Sequence, residues 1–350
     1  MWYGARLARD MTRRSRTIRF ALILLALAAA AEVPAQSGWE RMEGGPGTTC
    51  ALGSPFSFWV HRGSSERLAI YLRGGGACWN KATCDPNDQP TYVSTVDDQD
   101  APAGGLMELE NPANPLRDFT VVYVPYCTGD VHLGSRDVTY TGGLAIRHRG
   151  RANVEAALGW AFRSVTAPGV ILVAGESAGA LPSPVYALAM ARRYPNARIV
   201  QIGDGAGAFR VAAALTHWGA VDALKHESAF ATIDPAAPSY LALYELVAQA
   251  MPRVQLAQIN SAEDSVQRRF LELRGNPDTR VAVWLGRNMA ELRHSIPGFR
   301  AYSMPGTGHT VLRRPQFYTA SVDGVPLRDW VAHLLAGQEV TDVGETLLTR

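Results

Sequence analysis

The five residues Gly175-Glu176-Ser177-Ala178-Gly179 form a G-x-S-x-G pattern between an apolar run at 169–174 and a helical window opening at Leu181. A serine on so sharp a strand-to-helix turn projects its hydroxyl above the end of a sheet, near the positive end of the following helix. Small neighbours let other chain segments come close to it. A hydroxyl is a poor nucleophile at neutral pH, so it needs a base, and the base needs an acid to orient it. In this setting the chain order is serine, acid, histidine. The chemistry to expect at Ser177 is nucleophilic acyl transfer.

Five histidines follow the serine: His217, His226, His294, His309 and His333. His333 sits on an amphipathic helical window, where packing or solvation accounts for it. His217, His226 and His294 lie in helical or loop segments that no strand leads into. His309 differs, because its loop PGTGHT (305–310) follows a strand candidate at 299–303. Flanking glycines let a short loop carry a side chain back over the sheet edge. Two aspartates also end strand candidates. Asp264 lies in NSAEDS (260–265) after 254–259, and Asp204 in GDGAGAF (203–209) after 199–202. Chain order leaves both open as the acid, with Glu263 a solvated neighbour of the first. The 203–209 stretch also fits a loose dinucleotide-binding pattern, but that pattern belongs at the first strand of its unit, so it reads as a Gly-rich wall. Donors for the developing oxyanion come from RGGGACW (73–79), which follows the strand candidate 68–72. There the N–H groups of Gly75 and Gly76 would join that of Ala178, the residue after the nucleophile. Neither H-E-x-x-H nor a phosphate-binding loop occurs, so the expected chemistry requires no cofactor and no metal.

These side chains need a frame. Apolar and β-branched runs at 68–72, 120–124, 170–174, 199–202, 254–259, 281–284 and 299–303 alternate with helical windows at 152–162, 181–193, 240–250 and 327–335. Continuous apolar runs suit strands buried on both faces, and the alternation predicts a doubly wound α/β architecture with a mostly parallel sheet in a single domain. Segments 85–115 and 130–143 carry no clear periodicity and read as long loops bordering a site.

At 47% hydrophobic residues, the 350-residue chain can bury a large core. Its net charge of +2 carries no basic surplus of the kind nucleic-acid binders show. The first 35 residues hold six Arg against Asp10 and Glu32, leaving 28 basic and 30 acidic residues in the remainder. Arg13, Arg14, Arg16 and Arg19 precede twelve apolar residues, 20–31, and then Val33-Pro34-Ala35. Twelve residues make about 18 Å of helix, too short for a bilayer core of about 30 Å. The segment reads as a secretory signal over 1–35, cut after Ala35, with the catalytic domain over 36–350 and no membrane span in the mature chain. The expected location is secreted or periplasmic. Four cysteines agree with export, and four allow three pairings. Cys78 and Cys84 can close a local loop, in which case Cys50 would join Cys127. No C-x-x-C pair supports zinc.

Taken together, LRGGGACWN (72–80), VPYCTGDVH (124–132), IRHRGRANVEAAL (146–158), GESAGA (175–180), NSAEDSVQ (260–267) and PGTGHT (305–310) resemble the pectin acetylesterase family, which includes the Notum-type carboxylesterases. The resemblance implies an α/β-hydrolase-like fold and a carboxylic ester hydrolase. It implies Ser177 as nucleophile, Asp264 as acid, His309 as base and oxyanion donors at Gly75, Gly76 and Ala178. It also implies disulfides Cys78–Cys84 and Cys50–Cys127, and an ester substrate such as an acetylated polysaccharide. Three positions depart from the family's pattern. Gly76-Ala77 stand where a bulky aromatic is common, Ala180 replaces a frequent glycine, and Glu176 a small or polar residue. The rival reading is a secreted carbohydrate-binding protein on the same fold, which would need no nucleophile–base pair.

Overall fold

Strand β3 (Ser64–Leu72) explains the architecture in miniature. Leu68, Ile70 and Leu72 belong to one hydrophobic cluster, and the intervening Ala69 and Tyr71 to another. A strand that alternates between two buried faces has no polar side to show in its sequence, hence the unbroken apolar runs. The computed structural model describes residues 38–210 and 212–349. The signal segment expected over 1–35 lies outside them.

Ten strands matter here: β1 (Trp39–Glu43), β2 (Ser57–His61), β3, β4 (Phe119–Val124), β5 (Arg136–Tyr140), β6 (Leu144–His148), β7 (Val170–Glu176), β8 (Arg198–Asp204), β9 (Gln255–Ser261) and β10 (Arg300–Met304). Eight of them form one sheet in the order β1-β2-β4-β3-β7-β8-β9-β10. From β4 to β10 every neighbouring pair is parallel, and β1 and β2 add an antiparallel edge. The larger helices are α1 (Gly150–Ser164), α2 (Ser183–Arg193), α3 (Tyr240–Ala250), α4 (Ser265–Leu273), α5 (Val281–Ser295) and α6 (Leu327–Ala336). The first five pack on one face of the sheet, and α6 covers the other together with apolar residues of the segment before β4, such as Leu106 and Leu116. This is an α/β fold of the hydrolase-like type, with helices on both faces of a mostly parallel sheet. No helix among the described residues is long and apolar enough to cross a membrane.

Two sequence expectations are corrected. Residues 281–284 are the first turn of α5, not a strand. A run of four apolar residues looks the same in either state. The spacing of the buried Val281, Leu285, Met289 and Leu292 decides for a helix, because these residues share one helical face. Within the supposed loop 130–143, β5 pairs with β6 in a separate two-stranded sheet, burying Val138, Tyr140 and Ile146.

Two disulfides join Cys50 to Cys127 and Cys78 to Cys84. They span 77 and 6 residues, so loop closure in the unfolded chain weights them unequally. Replacing Cys50 and Cys127 by alanine should lower the unfolding free energy by about 4 kcal/mol, and replacing Cys78 and Cys84 by about 2 kcal/mol. Denaturant titration of the two double variants checks this, and equal or reversed losses would contradict it.

Candidate active site

Ser177 follows β7 in a single 3-10 turn, Ser177–Gly179, with its own φ at +52°, a conformation that L residues rarely hold. The flanking glycines make that turn possible. A Cβ on Gly175 would lie 2.0 Å from the carbonyl oxygen of Gly179, and one on Gly179 would lie 2.1 Å from that of Leu72. No side chain fits either gap. Gly74 is also close, since a Cβ there would lie 2.7 Å from Cβ of Ser177. The glycine turn after β3 is therefore pressed directly against the serine.

The N–H groups of Gly75, Gly76 and Ala178 make no hydrogen bond to any described residue. Their neighbours are committed. The carbonyl of Gly75 accepts from Val93, the N–H of Ala77 donates to Thr91, and that of Arg73 to Val124. Backbone donors left free beside a strained serine have the chemistry of an oxyanion site.

His309 and Asp264 meet at the ends of β10 and β9. Nδ1 of His309 donates to Oδ2 of Asp264 at 2.8 Å. Asp264 is fully buried and caps α4, where Oδ1 accepts the N–H groups of Val266 and Gln267, both at 2.9 Å. Its Oδ2 also accepts from Nε2 of Gln267 at 3.1 Å. Four N–H donors converge on this carboxylate at the positive end of a helix. With Nδ1 donating, Nε2 of His309 keeps its lone pair, and that atom is buried without a partner. The ring stands over the end of β8, because a Cβ on Gly205 would lie 3.4 Å from its Cε1. Glu176 and Asp204 are register partners, so Ser177 and Gly205 start from adjacent strand ends. Ser177 and Nε2 share no hydrogen bond, one that catalytic pairs often make only around substrate.

Asp204, the other acid that chain order allowed, does something else. Its Oδ2 accepts the N–H groups of Val311 and Leu312 at 2.7 and 2.8 Å, two and three residues past His309. Glu176 completes the clip. Its Oε1 accepts from Nε and Nη2 of Arg313 at 3.0 and 2.6 Å, and its Oε2 from the Tyr71 hydroxyl at 3.2 Å. Burial pushes the Asp204 carboxyl up to about 7 against the pull of its two N–H donors, and Glu176 pushes it the same way. Glu263 is exposed. The sequence marked Glu176 only as a departure, and nothing local pointed to Arg313, 137 residues away.

An apolar cleft of about 320 Å³ opens beside the end of the glycine turn. Ala77, Trp79, Leu181, Phe209, Trp218 and Phe270 are among its walls. The one grouping of metal-type ligands among the described residues, Cys78, Cys84 and His148, has both sulfurs in a disulfide. His148 is also engaged, with Tyr140 and with the Thr128 carbonyl.

The family model described as pectinacetylesterase matches residues 41–228, more than half of the chain. The chain belongs to the pectinacetylesterase family. The matched region carries the glycine turn and Ser177, whereas Asp264 and His309 lie beyond it. Human palmitoleoyl-protein carboxylesterase NOTUM is 29% identical over 143 residues, 37% of this chain and 27% of that protein. The zebrafish protein named inactive palmitoleoyl-protein carboxylesterase notum1b is 30% identical over 119 residues, 30% of this chain and 76% of that one. The chain thus spans about a quarter of the human relative's length.

The two aspartates predict different lesions. Asp264→Asn should lower kcat by roughly 10³ to 10⁴, because it removes the acceptor that orients the imidazole and stabilises the imidazolium. Asp204→Asn keeps an oxygen for the two N–H groups and should lower kcat by less than about tenfold. Glu263→Gln should be silent. The folded chain holds a proton on Asp204 that the unfolded chain gives up near pH 4. Its contribution to stability is therefore full below pH 4, falls as pH rises, and is gone above about 7. Asp204→Asn should flatten stability against pH over that interval. Ester kinetics and melting curves check both points, and an inactive Asp204→Asn beside an active Asp264→Asn would reverse the assignment.

Proposed function

We propose that this chain is an exported serine carboxylesterase with Ser177 as nucleophile, His309 as base, Asp264 as the orienting acid and Gly75, Gly76 and Ala178 as oxyanion donors. One observation carries the reading: the buried, unpartnered Nε2 of His309, backed by Asp264, beside a strained serine and free N–H groups. Nε2 takes the Ser177 proton as Oγ attacks the ester carbonyl. The three N–H groups hold the negative oxygen of the tetrahedral intermediate. His309 returns the proton to the departing alcohol, leaving an acyl-serine. Water, activated by the same nitrogen, then adds to the acyl group, and collapse releases the carboxylic acid and restores Ser177. Two disulfides support export to an oxidising compartment.

Family membership favours an acetyl ester on a polysaccharide such as pectin. A second reading of the acyl group rests on the 320 Å³ apolar cleft, which has room for a longer chain. Ala77 in its wall, beside Gly76, stands where the family commonly has bulk, and the human relative is named for a palmitoleoyl ester.

A p-nitrophenyl ester series from two to sixteen carbons separates the readings. A maximum of kcat/KM at acetyl supports the first, and a maximum at eight carbons or more the second. In the second case Ala77→Trp should shift the maximum to shorter chains. Ser177→Ala should lose a factor on the order of 10⁴ or more in kcat and all labelling by a fluorophosphonate. Absence of turnover across the series, with Ser177 unlabelled in the parent protein, would favour the carbohydrate-binding rival.

A further inference from the structure

The motif at 124–132 supplies none of the groups that the proposed reaction uses, yet it holds some of the tightest backbone in the molecule. Five non-glycine residues among those described have positive φ: Val131, His132, Ser177, Thr310 and Asp323. Ser177 is the nucleophile and Thr310 follows the base. Val131 and His132, at +50° and +57°, form a consecutive pair, and a β-branched valine there is a strained residue. Such a conformation persists only when its surroundings over-determine it. They do here. The Val131 N–H donates to the Tyr126 hydroxyl at 2.8 Å, the His132 N–H to Oδ1 of Asp130 at 3.1 Å, and the Tyr186 hydroxyl to the His132 carbonyl at 2.5 Å.

The product of this strain is one contact. The buried His132 ring, 4.7 Å from that of Tyr126, brings Nε2 to 2.8 Å from the carbonyl oxygen of Arg73. A carbonyl only accepts, so Nε2 carries the hydrogen. Burial takes the ring down to about 4, so it stays neutral near pH 7. The Arg73 carbonyl and the Gly74 N–H belong to one rigid peptide unit, and fixing one aims the other. Two later units of the turn are held by backbone, Gly75–Gly76 through Val93 and Gly76–Ala77 through Thr91, and the Gly74–Gly75 unit between them and the His132 contact has no tether of its own among the described residues. The first unit is held by a side chain. Without it, a run of three glycines could swing at its N-terminal end. Tyr126 closes the arrangement, since a Cβ on Gly75 would lie 2.4 Å from its ring.

We infer that His132 is a positioning residue for the oxyanion site, locking the Arg73–Gly74 peptide so that the N–H groups of the glycine turn face a carbonyl over Ser177. The inference rests on the acyl-transfer reading of Ser177. Its test compares His132→Ala with His132→Gln, whose amide nitrogen can replace the imidazole donor. Fluorophosphonate titration counts competent sites, so that kcat is expressed per labelled serine. Per site, His132→Ala should lose on the order of 10² in kcat with KM within about threefold, as misaimed oxyanion donors require. Affinity for a trifluoromethyl ketone, whose hemiketal oxygen occupies the same donors, should fall by a similar factor. His132→Gln should recover both to within about tenfold. If His132→Ala fails to fold, His132→Asn, too short to reach Arg73, takes its place. Unchanged kcat per site, a loss confined to KM, or a glutamine variant no better than alanine or asparagine would overturn the role of His132 alone. An unlabelled parent protein would overturn the acyl-transfer reading beneath it.

Discussion

Three backbone segments cross at Ser177 with no room for a side chain between them. Gly179 lies against the Leu72 carbonyl, Gly175 against that of Gly179, and Gly74 against the serine itself. This crossing fixes the order of everything else. It forces Ser177 to positive φ, and it presses the turn after β3, with its free N–H groups, against the serine. Such a turn is costly on its own, because three consecutive glycines have much conformational freedom to lose. The remaining structure supplies the compensation by burying β3, β4, β7 and β8 on both faces.

Around the crossing stands a set of polar tethers in apolar surroundings. Asp204 and Glu176, side by side at adjacent strand ends, hold the segment that follows His309, while Asp264 holds the ring itself. His132 and the Trp218 indole, which donates to the Cys78 carbonyl at 3.0 Å, grip the two ends of the glycine turn. Hydrogen bonds of this kind position strongly because leaving either partner unpaired in a buried site is expensive. The site is held as a frame.

Much of this was legible in the sequence wherever chemistry and local geometry coincide. The elbow around Ser177 carries its own glycines, and β3, β4, β7 and β8 carry the apolar runs expected of a doubly covered sheet. Chain order narrowed the acid to Asp264 or Asp204 but could not choose, because both lie at or just past the ends of parallel strands and what their oxygens reach is set by distant residues. Long-range contacts stayed hidden. The Glu176–Arg313 and His132–Arg73 pairs join residues 137 and 59 positions apart, and no local pattern encodes them. The 281–284 run was misread because a short apolar stretch looks alike at the start of a helix and in a strand.

The central claim, that the serine, the histidine and the glycine turn form one oxyanion-stabilising site, is tested most directly by a crystal structure of the protein inactivated with an alkyl fluorophosphonate. The account predicts phosphorus bonded to Oγ of Ser177 and its non-ester oxygen within about 3 Å of the N–H groups of Gly75, Gly76 and Ala178, with Nε2 of His309 facing the ester oxygen. Phosphorus on another residue, or a phosphoryl oxygen turned to solvent while those N–H groups stay empty, would contradict it.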